Sequence, residues 1–265
     1  RTFIFSKKDG QLKGVSVDNR KISFANGPRF IGARRADRSL DQFYNHDDEK
    51  AKEKDRTYSE FPDAAVFTKL DVKQDGGDLV VTANYKLGNL DKAQWTINPS
   101  GDLALDYTYN FSGVVDLMGI RFDYPEDQVI SKRWLGAGPY RVWQNRIHGT
   151  QYDVWENDYN DPIPGETFTY PEFKGYFGDV SWMNIQTKEG TISLTNETPD
   201  AYIGVYQPRD GRDRLLYTLP ESGISVLNVI PPVRNKVNST DLCGPSSQPK
   251  WVNGPQTGRV IFRFM

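Results

Sequence analysis

The sequence contains a single cysteine and only two histidines among its 265 residues. One cysteine, Cys243, cannot build an intrachain disulfide framework or a cysteine-based zinc site. The two histidines, His46 and His148, argue against a metal centre made of several imidazoles. We therefore expect neither a bound metal nor a cofactor.

Two further features are missing. The 33 Lys and Arg residues are balanced by 35 Asp and Glu residues, for a net charge of −2 at pH 7. The chain thus lacks the positive field that displaces counterions from phosphates, which argues against a nucleic-acid partner. No run reaches the 18 apolar residues of a membrane-spanning helix, so no membrane span is predicted.

Short strand-like runs, separated by Gly, Pro, Asn and Asp, are what the sequence has in abundance. In 103–109 the odd positions form an apolar and aromatic face, as in a half-buried strand. The segments 75–78 and 99–101 supply the positive-φ residues of tight hairpins. The pattern predicts an all-β antiparallel sandwich in one domain over 1–265, with strands including 2–6, 66–72, 79–85, 93–98, 103–111, 119–124, 129–135, 180–186, 191–195, 201–206, 223–230 and 258–264.

One segment departs from this pattern. Residues 37–56 are dense in charge, and their apolar residues Leu40, Phe43 and Tyr44 have helical spacing. We expect at most one short helix in the protein, and we expect it here. The segment is either a lid or partner-binding arm, or a solvated insertion between strands; its charge favours the insertion.

Four common motifs of enzyme active sites and nucleotide-binding sites are absent. The sequence has no G-x-S-x-G, no P-loop, no H-E-x-x-H and no G-x-G-x-x-G. Carboxylates are numerous, but their spacing does not single out an acid/base pair, so we assign no catalytic residue. The chain starts at Arg1, without a methionine. We expect it to be a piece of a longer protein whose catalytic chemistry lies outside these residues.

The region 134–182 is unusually rich in aromatic residues interleaved with Asn, Asp, Glu and Arg. Aromatic rings stack on the C–H faces of a pyranose, and planar polar groups take its hydroxyls through directional hydrogen bonds. Alternatively, these aromatic residues belong to the sandwich core. As a group they favour a surface that faces a sugar.

Several segments of this sequence match a known pattern in order. KRWLGAGP at 132–139, followed by Trp143-x-Asn145-Arg146, resembles W-x-G-x-G-P…Y-x-D-R. Tyr170-Pro-Glu172 and Gly178-Asp-Val-Ser-Trp182 are similar to Y-x-x-P-x-E-x-G…d-V-r-W, and the start at 3–12 is similar to F-x-F-d-k-x-t-G-x-L. These patterns are those of the C-terminal domain of family 2 glycoside hydrolases of the β-galactosidase type.

The resemblance implies a galactose-mutarotase-like β-supersandwich. In that family the catalytic carboxylates lie on a separate barrel, which would be a partner of this domain together with the other domains of the parent chain. The domain closes the active site and contributes an aromatic wall near its end, where Trp251 has a comparable position. The sequence departs from the pattern in having Asn145 for Asp and Trp143 for Tyr.

The leading functional hypothesis is a carbohydrate-facing accessory domain of a glycoside hydrolase that acts on plant or host polysaccharide or oligosaccharide. It would contribute substrate subsites and be inactive alone. A stand-alone carbohydrate-binding module is one alternative. An aldose 1-epimerase is another, but it needs a histidine pair and a Glu, and only His148 falls in the aromatic region. Because its substrate would be a polysaccharide or oligosaccharide, we expect the parent enzyme in the periplasm or outside the cell.

The candidate sugar contacts lie in or near loops that contain Gly and Pro, where binding residues concentrate. Trp143 and Trp251 would stack on the sugar if they are exposed, and would belong to the core if they are buried. Arg146 either binds the sugar or clamps two loops by pairing with Glu172 or Asp179, since pairs between arginine and a carboxylate are bidentate. The full set of candidates is Trp143, Arg146, Glu172, Tyr176 and Trp251.

Overall fold

The computed structural model describes residues 1–35, 58–158, 175–205, 220, 222–232 and 244–265. These residues form β-strands and two single 3₁₀ turns, Glu126–Gln128 and Pro245–Ser247, with no α-helix among them. No helix in these ranges is long and apolar enough to cross a membrane. The all-β prediction is confirmed. The helix expected within 37–56 lies outside the described residues.

Seventeen strands are found in the described ranges. In chain order they are β1 (Thr2–Phe5), β2 (Leu12–Val17), β3 (Arg20–Ile22), β4 (Ala25–Arg35), β5 (Tyr58–Glu60), β6 (Val66–Asp75), β7 (Asp78–Lys86), β8 (Leu90–Ile97), β9 (Leu103–Val115), β10 (Leu117–Asp123), β11 (Val129–Gly138), β12 (Gln151–Asp158), β13 (Trp182–Thr187), β14 (Gly190–Asn196), β15 (Tyr202–Gly204), β16 (Ile224–Val229) and β17 (Lys250–Phe264).

The strands form two sheets. The eight-stranded sheet has the order β1-β2-β4-β10-β16-β15, with β3 beside β2 and β5 beside β4. The nine-stranded sheet has the order β12-β11-β13-β14-β17-β9-β8-β7-β6. Neighbouring strands are antiparallel throughout both sheets. The predicted antiparallel sandwich is therefore confirmed.

The main core lies between the two sheets. The predicted alternation in β9 is present, since Leu103, Leu105, Tyr107 and Tyr109 are all buried. Aromatic rings join the sheets across the core: the ring of Phe262 in β17 lies 4.9 Å from that of Phe24 and 5.4 Å from that of Phe122. Such pairs add about 0.5–1.5 kcal/mol to the stabilisation from buried area.

A second, smaller apolar cluster lies on the opposite face of the eight-stranded sheet. Ile31 and Leu117 belong to it, whereas their chain neighbours Phe30 and Met118 face the main core, as the two-residue period of a strand requires. Loop residues, among them Val142, pack onto this cluster. The loops that carry the candidate site are thus supported by an apolar layer of their own.

Two of the segments that resemble the glycosidase pattern are in direct contact. The amide of Ala137 in the LGAGP motif donates to the carbonyl of Gly178 at 2.9 Å. Gly138 lies under the indole of Trp155, where an added Cβ would come within 2.4 Å of the ring. The glycine lets β11 approach this indole, so the motif has a packing role.

Candidate functional site

The candidate site starts from a tight turn at 143–146. The amide of Arg146 donates to the carbonyl of Trp143 at 2.8 Å, and the amide of Trp143 donates to the carbonyl of Arg146 at 3.3 Å. The turn therefore presents Gln144 and Asn145 at its tip.

The two amide side chains at this tip hold the loop 244–249. The Nε2 group of Gln144 donates to the carbonyls of Ser246 and Gln248, both at 2.7 Å. The Nδ2 group of Asn145 donates to the hydroxyl of Ser247 at 2.9 Å, and Ser247 is fully buried. Because three side-chain hydrogen bonds converge on one short 3₁₀ turn, the loop is fixed on the 143–146 turn.

Trp251 follows directly after this loop. It is the second residue of β17, opposite Val114 of β9, and it is 70% exposed. Beyond Asn110, β9 and β17 pair only with each other among the described strands, so they form a two-stranded ribbon. The indole is thus exposed to solvent at the start of β17, directly after the loop that Gln144 holds.

Two of the predicted sugar contacts are buried instead. Trp143 and Tyr176 are each 1% exposed and belong to the smaller apolar cluster, with their rings 5.7 Å apart and nearly perpendicular. Burial raises the pKa of Tyr176 well above its usual value. Of the two roles considered for Trp143, the structure therefore shows the core one, and Tyr176 is buried with it, because the 139–146 and 175–177 loops pack both rings onto the eight-stranded sheet.

The remaining candidates divide between exposed and undescribed positions. Arg146 is exposed at the end of the turn. Glu172 lies outside the described residues, and with it the proposed Arg146–Glu172 pair. A clamp between two loops is present here, but it joins the 143–146 turn to the 244–249 loop and is made by Gln144 and Asn145. The structure therefore groups Arg146 with the loop that leads to Trp251, above a buried Trp143 and Tyr176.

This clamp has little signal in the sequence. Asn145 stood out because it replaces the Asp of the related pattern, but nothing near Gln144 points to residues a hundred positions away. Ser247 lies in the undistinguished run Pro-Ser-Ser-Gln. Only the tertiary fold brings these side chains together.

The aromatic-rich region contributes mainly to the core. Trp134 and Phe177 are buried with their rings 4.8 Å apart, whereas Tyr140 and Tyr152 are 44% and 58% exposed. Residues 159–174 of this region lie outside the described ranges. Where the structure describes it, the region is therefore a layer of packing with a few exposed rings at its edge.

The described part of the chain offers no group of three or more His, Cys, Asp or Glu residues that could hold a metal ion. Of the two histidines, His148 is exposed beside the turn and His46 lies outside the described ranges.

A family model described as "Beta galactosidase small chain" matches residues 1–242. The match confirms the resemblance found in the sequence motifs. It ends before Trp251, so the aromatic residue on the ribbon lies beyond the matched region. No curated protein matches the chain.

The solved structures that match this chain include the galactose 1-epimerase from Lactobacillus acidophilus NCFM. The match has 9% sequence identity and a TM-score of 0.47, and it covers 97% of this chain and 89% of the epimerase. Another is the alpha-N-acetylgalactosaminidase NagBb from Bifidobacterium bifidum, at 12% identity and a TM-score of 0.43, covering 99% of this chain. This chain spans 34% of the length of that glycosidase.

Proposed function

We propose that this chain, which belongs to the beta galactosidase small chain family, is a carbohydrate-facing accessory domain of a glycoside hydrolase. The parent would act on plant or host polysaccharide or oligosaccharide, in the periplasm or outside the cell. In this proposal the catalytic acid and nucleophile lie on a barrel elsewhere in the parent. This domain packs against that barrel and supplies part of the substrate-binding surface.

The observation that carries the proposal is the exposed indole of Trp251. A flat apolar ring that is 70% exposed can cover the C–H face of a sugar ring without any rearrangement of the core. The hydrogen bonds from Gln144 hold the backbone of the preceding loop, so this part of the chain has little conformational freedom left to lose when a sugar binds. Removing such a ring from water yields about 1.5–3 kcal/mol at most.

Polar contacts complete the proposed subsite. The exposed guanidinium of Arg146 offers several N–H donors for sugar hydroxyls. Glu172 remains a proposed hydroxyl acceptor, as the sequence suggests. With only part of the full substrate pocket present, we expect the isolated chain to bind a free monosaccharide in the millimolar range, near −4 kcal/mol.

Tryptophan fluorescence during titration with monosaccharides and oligosaccharides tests this subsite. We expect a saturable change in the wild type that is lost in Trp251→Ala. Tyr152→Ala is the matched control, because it removes another exposed ring (58% exposed) far from the 244–249 loop in sequence. An unchanged affinity in a folded Trp251→Ala variant would contradict the proposal.

The aldose 1-epimerase alternative has a separate test. We expect the isolated chain to leave the mutarotation rate of glucose and galactose at background and to hydrolyse no aryl glycoside. An epimerase needs a pair of histidines, and in the sequence only His148 falls in the aromatic-rich region. Polarimetry on the purified chain measures this directly. Mutarotation that disappears in His148→Ala would replace the accessory-domain proposal with an epimerase.

A further inference from the structure

A polar pocket lies on the outer face of the nine-stranded sheet. Strand β14 ends at Asn196, opposite Val260, and the chain then enters a turn. The turn is tied to the strand, since the amide of Glu197 donates to the carbonyl of Arg259 at 3.0 Å. A cavity of about 380 Å³ is left beside it, lined among others by Lys92, Gln94, Asp106, Thr108, Glu197 and Arg259.

The lining side chains are arranged by strand register. Asp106 is paired with Gln94 on one side and with Arg259 on the other, so the three form a row across β8, β9 and β17. The guanidinium of Arg259 lies between two carboxylates, 2.5 Å from Asp106 and 3.0 Å from Glu197. The hydrogen bond to Asp106 is the main reason that the pKa of Arg259 is raised.

The charges of the lining indicate the kind of ligand. The lining contains two cations, Lys92 and Arg259, and two carboxylates, Asp106 and Glu197. Its net charge is therefore zero, and it favours neither an anionic nor a cationic ligand. Donors and acceptors alternate within one small space, which suits the paired hydroxyls of a sugar ring. A volume of about 380 Å³ is at the small end for ligand pockets, which usually span about 300–1,000 Å³.

We propose that this pocket is a second saccharide site, for a neutral mono- or disaccharide unit. Arg259 and Lys92 donate to its hydroxyl oxygens, and Asp106 and Glu197 accept from its hydroxyl groups. The sugar class rests on the proposed function; the neutrality of the ligand rests on the pocket itself. Arg259 is eight positions along β17 from Trp251, or about 26 Å at the rise of a strand, so the two sites are separate.

Amide NMR shifts during titration with lactose and with cellobiose test the pocket on the full chain. We expect shifts around Asp106, Glu197 and Arg259 in the wild type. In Asp106→Asn/Glu197→Gln, which keeps side-chain size, we expect binding at least tenfold weaker. Gln94→Ala should weaken binding severalfold while leaving both ion pairs intact. Glucuronate and glucosamine, one anionic and one cationic, should each bind more weakly than the neutral sugars.

The control is Asp102→Asn. Asp102 forms the same kind of pair with Arg263, at 2.6 Å and 2.8 Å, outside the pocket. This variant should bind as the wild type does, and so should Trp251→Ala at the pocket. If neither neutral sugar shifts the pocket amides, or if Asp102→Asn weakens binding as much as the pocket variant, the proposed saccharide site in the pocket is wrong. If only amides around Trp251 shift, the pocket site is wrong and the proposed function stands. If only pocket amides shift, the Trp251 subsite is wrong.

Discussion

The two halves of β17, residues 250–259 and residues 260–264, belong to one continuous strand and have opposite surroundings. Residues 260–262 pair with both β14 and β9, residues 263–264 pair with β14, and the inward side chains Val260, Phe262 and Phe264 are fully buried. Residues 250–259 pair with β9 alone, and Trp251 at their start is 70% exposed. One half closes the core, whereas the other contains no fully buried residue.

The difference teaches how one strand combines two roles. Pro255 has no amide to donate, which a strand tolerates where only one of its edges is paired. It occurs in the outer half, opposite Asn110, and the inner half contains neither Gly nor Pro. Packing therefore dictates the residues of the inner half, whereas the outer half is open to side chains chosen for contact with a ligand.

The largest effect should come from the inner half. Phe262→Ala removes a ring that packs against Phe24 and Phe122, and we expect the free energy of unfolding to fall by about 3–5 kcal/mol. Trp251→Ala, in the outer half, should change it by about 0.5 kcal/mol or less. Urea unfolding measures both. Similar losses in the two variants would remove the distinction between the halves.

The anchor of the outer half should have an intermediate effect. Gln144→Ala deletes two hydrogen bonds to the 244–249 loop, and we expect a loss of about 1–2 kcal/mol. The amides of Ser247 and Gln248 should exchange hydrogen faster, and the fluorescence anisotropy of Trp251 should fall.

The control for this clamp is Gln186→Ala, which replaces an exposed glutamine on β13. It should leave the exchange of the loop amides unchanged. Slow exchange that persists in Gln144→Ala would show that the loop does not depend on the clamp.

The smallest effect should come from the ion pair between Arg263 of the inner half and Asp102. The hydrogen bond from Arg263 is the main reason that the pKa of Asp102 is lowered, from 3.8 to about 2. A lowered pKa means that Asp102 stabilises the folded chain above about pH 4 and that this contribution is lost as the pH falls through about 2.

Urea unfolding at pH 5 and pH 2.5 tests this sign. Asp102→Asn should be destabilised relative to the wild type at pH 5, with a smaller difference at pH 2.5. Arg263→Gln should show the same trend, because it removes the other partner. A difference that grows toward low pH would contradict the assignment.

The sequence allowed the sandwich to be predicted because its strands alternate over short distances. The hairpin at 75–78 is confirmed, with Asp75 opposite Asp78. Strand β4 and the outer half of β17 were missed, because Gly27-Pro28 and Gly254-Pro255 are typical of breaks between strands. Both lie inside strands in the structure.

The candidate site was less predictable, because it depends on contacts between distant segments. Trp251 followed from the resemblance, and its exposure agrees with a stacking role. Nothing local to Trp143 or Tyr176 shows that the outer face of the eight-stranded sheet is covered by their loops. The same is true of Gln144, whose partners lie a hundred positions further along the chain.

The position of β17 in the middle of its sheet also affects how the sheet forms while the chain is being synthesised. It joins β6–β9 on one side to β11–β14 on the other. Because it is the last of these strands to be synthesised, β9 and β14 emerge with open edges, and open edges template pairing with other chains. At about 5–20 residues per second, the interval between Asn196 and Phe264 lasts several seconds. During those seconds the half-built sheet is most exposed to aggregation, and a chaperone that shields β9 would protect it.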